Sequence, residues 1–277
     1  MTLLDRDVDG LRAVGGTPRV AIVLGSGLGG LIDHVTEAVD VPFSEVGSLP
    51  EPTVVGHRGR FVFGSLGDVP VVLLDGRLHA YEGHELEEIV APVRILARLG
   101  VGALLLTNAV GAIHPRLSPG DLVLIEDQIN VSFRSPLAGP VYAGEERFPD
   151  MSQPFDAALQ HEFRDVAIRS GIDLARGTYA GVLGPQFETA AEVRMLALLG
   201  ADVVGMSTVP EVVVARAAGV PVAVLSLVSN KATGLAHEVL SHEDVLAVGA
   251  QAGQRMIEVV TGVVARLGVV NPGERSG

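Results

Sequence analysis

Short apolar runs rich in β-branched residues alternate along the chain with longer segments whose apolar residues recur every three or four positions. The first pattern is typical of buried strands and the second of amphipathic helices. Strands are predicted over residues 19–24, 60–64, 69–74, 102–107, 121–125, 177–182, 203–205 and 222–228. Helices are predicted over residues 86–99, 155–170, 190–199, 211–218 and 241–267. This alternation predicts an α/β fold, a single domain over residues 1–277 with a central mixed, largely parallel β-sheet flanked by helices.

Polar side chains occur just beyond the carboxyl ends of several predicted strands that are far apart in the sequence. They are Ser26, Arg77, Asn108, Ser207 and Asn230. In open α/β sheets, ligands bind in the crevice outside the carboxyl ends of the strands. We therefore expect these side chains to form one composite ligand site.

The composition of the chain argues against some classes of partner and favours one kind of compartment. The formal net charge of −13 gives no support for binding nucleic acid or an anionic membrane surface. Because the chain has no cysteine, it has no disulfides and no thiolate metal site, which fits a reducing compartment. Residues 1–10 lack the apolar core of a secretory signal, and the longest apolar stretch, 209–228, is interrupted by Glu211, Arg216 and Pro221. We expect a cytoplasmic protein without nucleic-acid or membrane partners.

The glycine-rich segment 25–30, GSGLGG, directly follows the first predicted strand. Its glycines let backbone N–H groups approach an anion at a helix start, so a phosphate loop with the Ser26 hydroxyl as donor is one interpretation. A plain tight turn is another. A dinucleotide fingerprint requires an acidic residue about 20 positions later. That position falls near Glu51, between two prolines where no second strand ends, so the fingerprint is disfavoured.

A second set of anion-binding candidates follows the predicted strand 69–74. Arg77, His79 and Tyr81 alternate, so in an extended segment they share one side. Arginine and histidine donate to phosphate, and tyrosine offers an apolar ring with a polar tip, which suits a sugar phosphate. Glu82 is placed to orient His79. The alternatives are a solvated charged turn here and an exposed loop histidine at His57.

Three further segments combine groups that suit a planar base and its sugar. Phe187 and Glu188 put an aromatic ring beside a carboxylate, and Asn230 offers both a donor and an acceptor. Met206 and Ser207 precede a helix whose amino end favours phosphate. Each segment is also compatible with a helix cap or a turn without function.

In this order, the segments resemble the trimeric purine nucleoside phosphorylase family, which includes methylthioadenosine phosphorylases. The resemblance covers nearly the whole chain, and although each motif alone is weak, nine in sequence are specific. The segments are LGSGLGG (24–30), GHRGRFVFG (56–64), GRLHAYEG (76–83), TNAVGA (107–112), RFPDMS (147–152), GPQFET (184–189), GMSTVPE (205–211), SNK (229–231) and SHEDVL (241–246).

The resemblance implies a role for each matching residue. Phosphate is expected to contact Ser26, His57, Arg77, His79, the Ala109 backbone and Ser207. Ribose is expected to contact Tyr81, Met206 and His242, and the base Phe187, Glu188 and Asn230. Asn230, His79 and Glu188 are the expected catalytic residues, and Phe148 is expected to reach a neighbouring subunit's site in a homotrimer. His237 lies in a near-duplicate of the motif around His242 and remains an alternative to it.

The implied activity is phosphorolysis of 6-oxopurine ribo- and deoxyribonucleosides, such as inosine and guanosine, to the free base and (deoxy)ribose 1-phosphate in purine salvage. Inorganic phosphate is a co-substrate, and we expect neither a cofactor nor a metal, because the histidines are not grouped at ligand spacing. Phosphorolysis of methylthioadenosine is the alternative reaction. A nucleoside-binding sensor without activity is the alternative class.

Overall fold

The computed structural model describes residues 2–25, 29–235 and 242–269, with side chains from 252 to 268 in the last range. Ser26 and His237 lie outside the described residues, as does the side chain of His242. The helices are α1 (Leu3–Gly15), α2 (Leu86–Leu99), α3 (Ala157–Ser170), α4 (Ala190–Leu198), α5 (Val209–Ala217) and α6 (His242–Val269). The strands are β1 (Val20–Val23), β2 (Thr36–Pro42), β3 (Arg60–Leu66), β4 (Val69–Asp75), β5 (Ala103–Ala112), β6 (Leu122–Asn130), β7 (Leu174–Gly181), β8 (Val203–Gly205) and β9 (Val222–Lys231).

The described strands form one mixed sheet in the order β2-β3-β4-β1-β5-β8-β7-β6-β9. An additional pairing joins β9 to β5, so strands β5 to β9 close into a ring. The central pairings of β1 with β4 and β5, and of β5 with β9, are parallel, whereas β2, β3 and β8 bring antiparallel pairings. The predicted fold class, an α/β fold with a mixed sheet flanked by helices, is confirmed.

Alternating residues of β1 are buried in two different clusters, one on each face of the sheet. Ala21 and Val23 pack with α1, α2 and α5, whereas Val20 and Ile22 pack with α3 and α6. A strand that is buried on both faces appears in the sequence as a continuous apolar run, as β1 does. Among the described residues, no helix is both long and apolar enough to cross a membrane.

Several predicted strands end too early, and two of them carry candidate site residues. β5 continues through Asn108 and Ala109 to Ala112, and β9 continues through Asn230 to Lys231. The prediction that Asn108 and Asn230 follow their strands is therefore wrong. The apolar run stops at each position, but the strands go on because β5 and β9 pair with each other up to Ala112 and Lys231.

Strands β5 and β9 are out of step by one residue near their ends. Val110 is opposite Val228 and Gly111 is opposite Asn230, so Ser229 is an extra residue in β9. Such a bulge re-aims the side chains next to it and often lies near a functional site. Here the Ser229 hydroxyl donates to the Val110 carbonyl at 3.2 Å and to the Asn230 side-chain carbonyl at 2.6 Å.

The chain's one lysine fastens the loop after β5 to the end of β9. Lys231 Nζ donates to the carbonyl oxygen of Pro115 at 2.9 Å and to that of Leu117. The contact ties residues 113–117 to the strand that carries Asn230.

Gly25, two residues after β1, is in close contact with β5, and we expect its replacement by alanine to destabilise the protein. A Cβ at Gly25 would lie 2.6 Å from Asn108 Cα and 2.8 Å from the Thr107 carbonyl oxygen. Since both neighbours are backbone atoms, the strands must separate, and Gly25→Ala should lower the free energy of unfolding by about 2 kcal/mol. Urea denaturation measures this change in the free energy of unfolding. Gly29→Ala is the matched control, because nothing lies within 4 Å of a Cβ at Gly29. Equal effects of the two variants would contradict the prediction.

Candidate active site

Asn108 of the predicted composite site and ten of the site residues implied by the resemblance line one cavity of about 320 Å³. The ten are His57, Arg77, His79, Tyr81, Ala109, Phe187, Glu188, Met206, Ser207 and Asn230. The cavity lies at the ends of β4, β5, β8 and β9, together with the loops that carry His57 and Phe187. Phe148 is elsewhere on the surface and 88% exposed. The structure thus brings distant segments together around one cavity, as a composite site requires. The role of each residue stays a prediction.

Arg77 is buried and oriented from two sides. Its Nε donates to Glu211 Oε1 at 2.9 Å and its Nη1 to the Thr107 carbonyl oxygen at 3.0 Å. Nη2 of Arg77 and Oε2 of Glu211 have no hydrogen-bond partner among the described residues. A buried donor on a cavity-lining guanidinium suits an anionic ligand.

Glu211 is a functional candidate that the sequence analysis missed. It appeared there only as a charge that interrupts an apolar stretch, although a buried carboxylate in the first turn of α5 requires a cationic partner. The partner is Arg77, 134 residues away in the chain.

His79 is held by Glu82 and stacked on Tyr81. The His79 Nδ1 is 2.9 Å from Glu82 Oε1, and the His79 and Tyr81 ring centroids are 4.7 Å apart at an interplanar angle of 15°. The His57 ring lies 5.2 Å from that of His79. Burial lowers the pKa of His79 despite the hydrogen bond to Glu82, so the neutral imidazole is favoured near neutral pH.

Tyr81 remains a phenol at physiological pH. Burial raises the pKa of its hydroxyl to about 12, with a further contribution from the negative charge of Glu82. Its hydroxyl is consequently available as a hydrogen-bond donor on the cavity wall.

Glu82 stays ionised to low pH. Burial acts to raise its pKa, but hydrogen bonds from His79 and Thr53 outweigh burial and lower the pKa to about 2. The Thr53 backbone N–H donates to Glu82 Oε2 at 2.5 Å, and the Thr53 hydroxyl does so at 2.8 Å. Glu82 therefore links the His57 loop region to the segment that carries His79.

This lowered pKa predicts a dependence of stability on pH. Because the folded-state pKa lies below the ordinary value of 4.5, ionised Glu82 stabilises the fold fully above about pH 4.5, and the effect is lost as the pH falls towards about 2. With allowance for solvent screening, we expect wild type to exceed Glu82→Gln in free energy of unfolding by about 1–2 kcal/mol at pH 7. Denaturant titrations of both proteins between pH 7 and 3 measure this difference. A difference that does not shrink below pH 4.5 would contradict the prediction.

Asn230, Glu188 and Phe187 form another part of the lining. Asn230 Nδ2 donates to the Lys231 carbonyl at 3.0 Å, and its Oδ1 accepts from Ser229. Burial raises the pKa of Glu188, and Phe187 is 40% exposed. Gly111 lies opposite Asn230, and a Cβ there would be 3.3 Å from Asn230 Nδ2, so the glycine leaves room for the amide.

Ser207 lies where β8 meets α5. Its backbone N–H donates to the Tyr179 hydroxyl at 3.3 Å, and its carbonyl accepts from the same hydroxyl at 3.1 Å. Its own hydroxyl is 3.0 Å from that of Thr208, which accepts from Asn108 Nδ2 at 2.8 Å. Tyr179 and Thr208 were missed in the sequence because nothing in it indicates that two strands and a helix start converge on Ser207.

Among the described residues, no group of three or more histidine, aspartate or glutamate side chains could hold a metal ion. The expected lack of a metal and of a cofactor stays a prediction.

Comparison with known proteins connects this geometry to a family. A family model described as Phosphorylase superfamily matches residues 19–265. A purine nucleoside phosphorylase of Bos taurus is 43% identical over 267 residues, covering 91% of this chain and 90% of its own. Two crystal structures of schistosome purine nucleoside phosphorylase, one with hypoxanthine and one with adenosine, superpose with a TM-score of 0.89 at 34% identity. Each covers 94% of this chain and 95% of its own.

Proposed function

Since this chain belongs to the phosphorylase superfamily, we propose that it is a purine nucleoside phosphorylase that converts 6-oxopurine nucleosides and phosphate into the free base and (deoxy)ribose 1-phosphate. The observation that carries the proposal is the cavity itself. It combines buried donors suited to an anion with a carboxylate, an amide and an aromatic ring suited to a purine.

Arg77, on the anion side of the cavity, and Asn230, on the base side, lie near different positions along β5. The distance between these positions fits a nucleoside with phosphate beside its ribose. Arg77 bonds to the Thr107 carbonyl, whereas Asn230 is opposite Gly111. At about 3.3 Å per residue, four residues of strand span about 13 Å. Ala109 lies between the two positions, and its N–H is proposed to point at the anion.

Phosphate is proposed to bind through the residues around Thr107. Arg77 Nη2 supplies a charged donor, and His57, Ser207 and the backbone N–H of Ala109 supply further donors. Neutral His79, whose Nδ1 hydrogen is engaged by Glu82, accepts the hydrogen of a protonated phosphate oxygen at Nε2. Ser26, which lies outside the described residues, is proposed to add its hydroxyl. Because the protein carries a net charge of −13, these donors have to create a local site for the anion.

In the proposed reaction, the bond between ribose C1′ and the base nitrogen breaks heterolytically, and its electron pair leaves with the purine. A phosphate oxygen then forms the new bond to the oxocarbenium-like C1′ on the opposite face. Asn230 donates to purine N7, and this contact strengthens as negative charge develops on the base. Glu188 accepts from N1–H and thereby holds the base in place. Tyr81, Met206 and His242 are proposed to hold the ribose.

Preference for 6-oxopurines is proposed from the hydrogen-bonding capacity of Glu188 and Asn230. Ionised Glu188 accepts the N1–H of inosine or guanosine, whereas adenosine has no hydrogen on N1. Asn230 accommodates both N7 and a 6-oxo group because its amide can donate. A histidine at position 242 suits a ribose 5′-hydroxyl rather than a methylthio group.

The assembly and setting are proposed from the family resemblance. The protein is proposed to be a cytoplasmic homotrimer that serves purine salvage, with Phe148 reaching the site of a neighbouring subunit. Phe148 is 88% exposed in the single chain, which is compatible with burial in a neighbour.

The test is to incubate the purified protein with inosine, adenosine or methylthioadenosine, each with and without phosphate, and to quantify the free base and ribose 1-phosphate. Phosphate-dependent release of both products from inosine is the expected result. Release without phosphate would instead establish a hydrolase. Faster turnover of methylthioadenosine or adenosine than of inosine would refute the 6-oxopurine preference, and binding without turnover would refute the enzyme.

A further inference from the structure

We propose that Thr208 is a positioning residue that aims the hydroxyl hydrogen of Ser207 into the cavity, where it donates to phosphate. The inference deepens the proposed function, because it rests on the phosphate site proposed above. Ser207 lines the cavity, whereas Thr208 is 2% exposed and is not part of the described lining. Thr208 therefore acts through its neighbour rather than on the ligand.

Asn108 fixes one end of this chain of hydrogen bonds, and the proposal assigns the direction of the other. The Asn108 amide nitrogen can only donate, so its 2.8 Å contact makes Thr208 Oγ1 an acceptor. A hydroxyl has one hydrogen to donate, and Thr208 Oγ1 is 3.0 Å from Ser207 Oγ. In the proposed arrangement Thr208 gives this hydrogen to Ser207 Oγ, so Ser207 accepts on that side and its own hydrogen is directed away from Thr208, towards the cavity.

Tyr179 completes the arrangement by fixing the Ser207 backbone. Its hydroxyl accepts from the Ser207 N–H and donates its hydrogen to the Ser207 carbonyl. Because burial raises the pKa of Tyr179, that hydroxyl keeps its hydrogen and serves as a permanent donor to Ser207.

The backbone at Thr208 supports a role for this side chain in particular. Its φ of 72° and ψ of −53° lie in a region that β-branched residues rarely adopt. A residue retained in such a conformation is held there by its surroundings, and these conformations concentrate at functional sites. The hydrogen bond from Asn108 holds the Thr208 side chain in addition to its contact with Ser207.

Thr208→Val and Thr208→Ser separate the hydroxyl from the shape of the side chain. By isothermal titration calorimetry with inorganic phosphate alone, we expect Thr208→Val to raise the dissociation constant about five- to tenfold, and Thr208→Ser to stay within about twofold of wild type. In steady-state kinetics with inosine, the KM for phosphate should rise in Thr208→Val while kcat at saturation changes less than about threefold. Thr261→Val, which removes a buried hydroxyl without a described partner, is the matched control for folding.

A double-mutant cycle with Ser207→Ala decides whether Thr208 acts through Ser207. If it does, adding Thr208→Val to Ser207→Ala causes no further loss of phosphate affinity. Multiplying losses, or wild-type affinity in Thr208→Val, would overturn the inference. So would a wild-type protein that binds no phosphate. Phosphate binding that follows the expected pattern without release of hypoxanthine would support the inference and refute the proposed enzyme.

Discussion

Replacing Arg77 by methionine is expected to lower kcat/KM for phosphate by about a thousandfold and also to destabilise the protein. The first effect follows from the loss of the charged donor proposed to hold phosphate. The second follows from Glu211, whose side chain is 5% exposed and would keep a buried carboxylate without a cationic partner. Breaking a buried ion pair in this way typically costs about 3–5 kcal/mol. Phosphate-dependent kinetics and urea denaturation measure the two effects separately.

Two further variants separate binding from stability. Arg77→Met combined with Glu211→Leu removes both charges, and it should recover most of the lost stability without recovering activity. Arg94→Met is a matched control, because Arg94 and Glu145 form another buried ion pair, at 2.7 Å, outside the described cavity lining. We expect Arg94→Met to lose stability but to keep the KM for phosphate. A comparable rise of that KM in Arg94→Met would mean that instability, not loss of a ligand contact, explains Arg77→Met.

Asn230→Ala is expected to lower kcat for inosine by about 10²–10³-fold, with little change in the KM for phosphate. The amide is proposed to donate to N7 as the purine departs with negative charge, and removing one such donor typically costs this much. Asn230→Asp should be as slow near neutral pH, since a carboxylate accepts but does not donate. Steady-state kinetics at saturating phosphate provide the measurement.

Asn130→Ala serves as the matched control for Asn230→Ala. Asn130 is an exposed asparagine on β6 that donates to the Arg134 carbonyl at 2.8 Å. The Asn130→Ala variant should retain the wild-type kcat for inosine. Inosine turnover within about threefold of wild type in Asn230→Ala would remove Asn230 from the proposed mechanism.

The sequence predicted the helices and strands that bury an apolar face, because burial imposes a recognisable pattern of apolar residues. α2 was predicted with the bounds that the structure has, because its apolar face packs against the sheet and a glycine ends it. Two elements gave no such signal. β2 is exposed along almost its whole length, and α1 is polar on all but a narrow face that carries Leu4, Val8 and Leu11.

For the candidate site, the sequence predicted which side chains meet and the local contact of Glu82 with His79, but not the contacts between distant segments. His79 and Tyr81 were expected on one side of an extended segment. The segment is not extended there, since Ala80–Glu82 forms a turn of 3-10 helix, but the two rings do stack. By contrast, Arg77 pairs with Glu211 at a separation of 134 positions in the chain, and Asn108 with Thr208 at a separation of 100. No local pattern carries such pairings, since they arise only when β5, β8 and α5 are packed together.

The anchoring of Lys231 has a practical consequence for attaching the protein to a surface. Because lysine occurs at this position alone, amine-reactive coupling has only this side chain and the terminal α-amino group as targets. The Lys231 ammonium is engaged by two carbonyl groups, so acylation there must first break both contacts. Mild amine coupling should therefore spare Lys231 and leave the end of β9 that carries Asn230 unmodified.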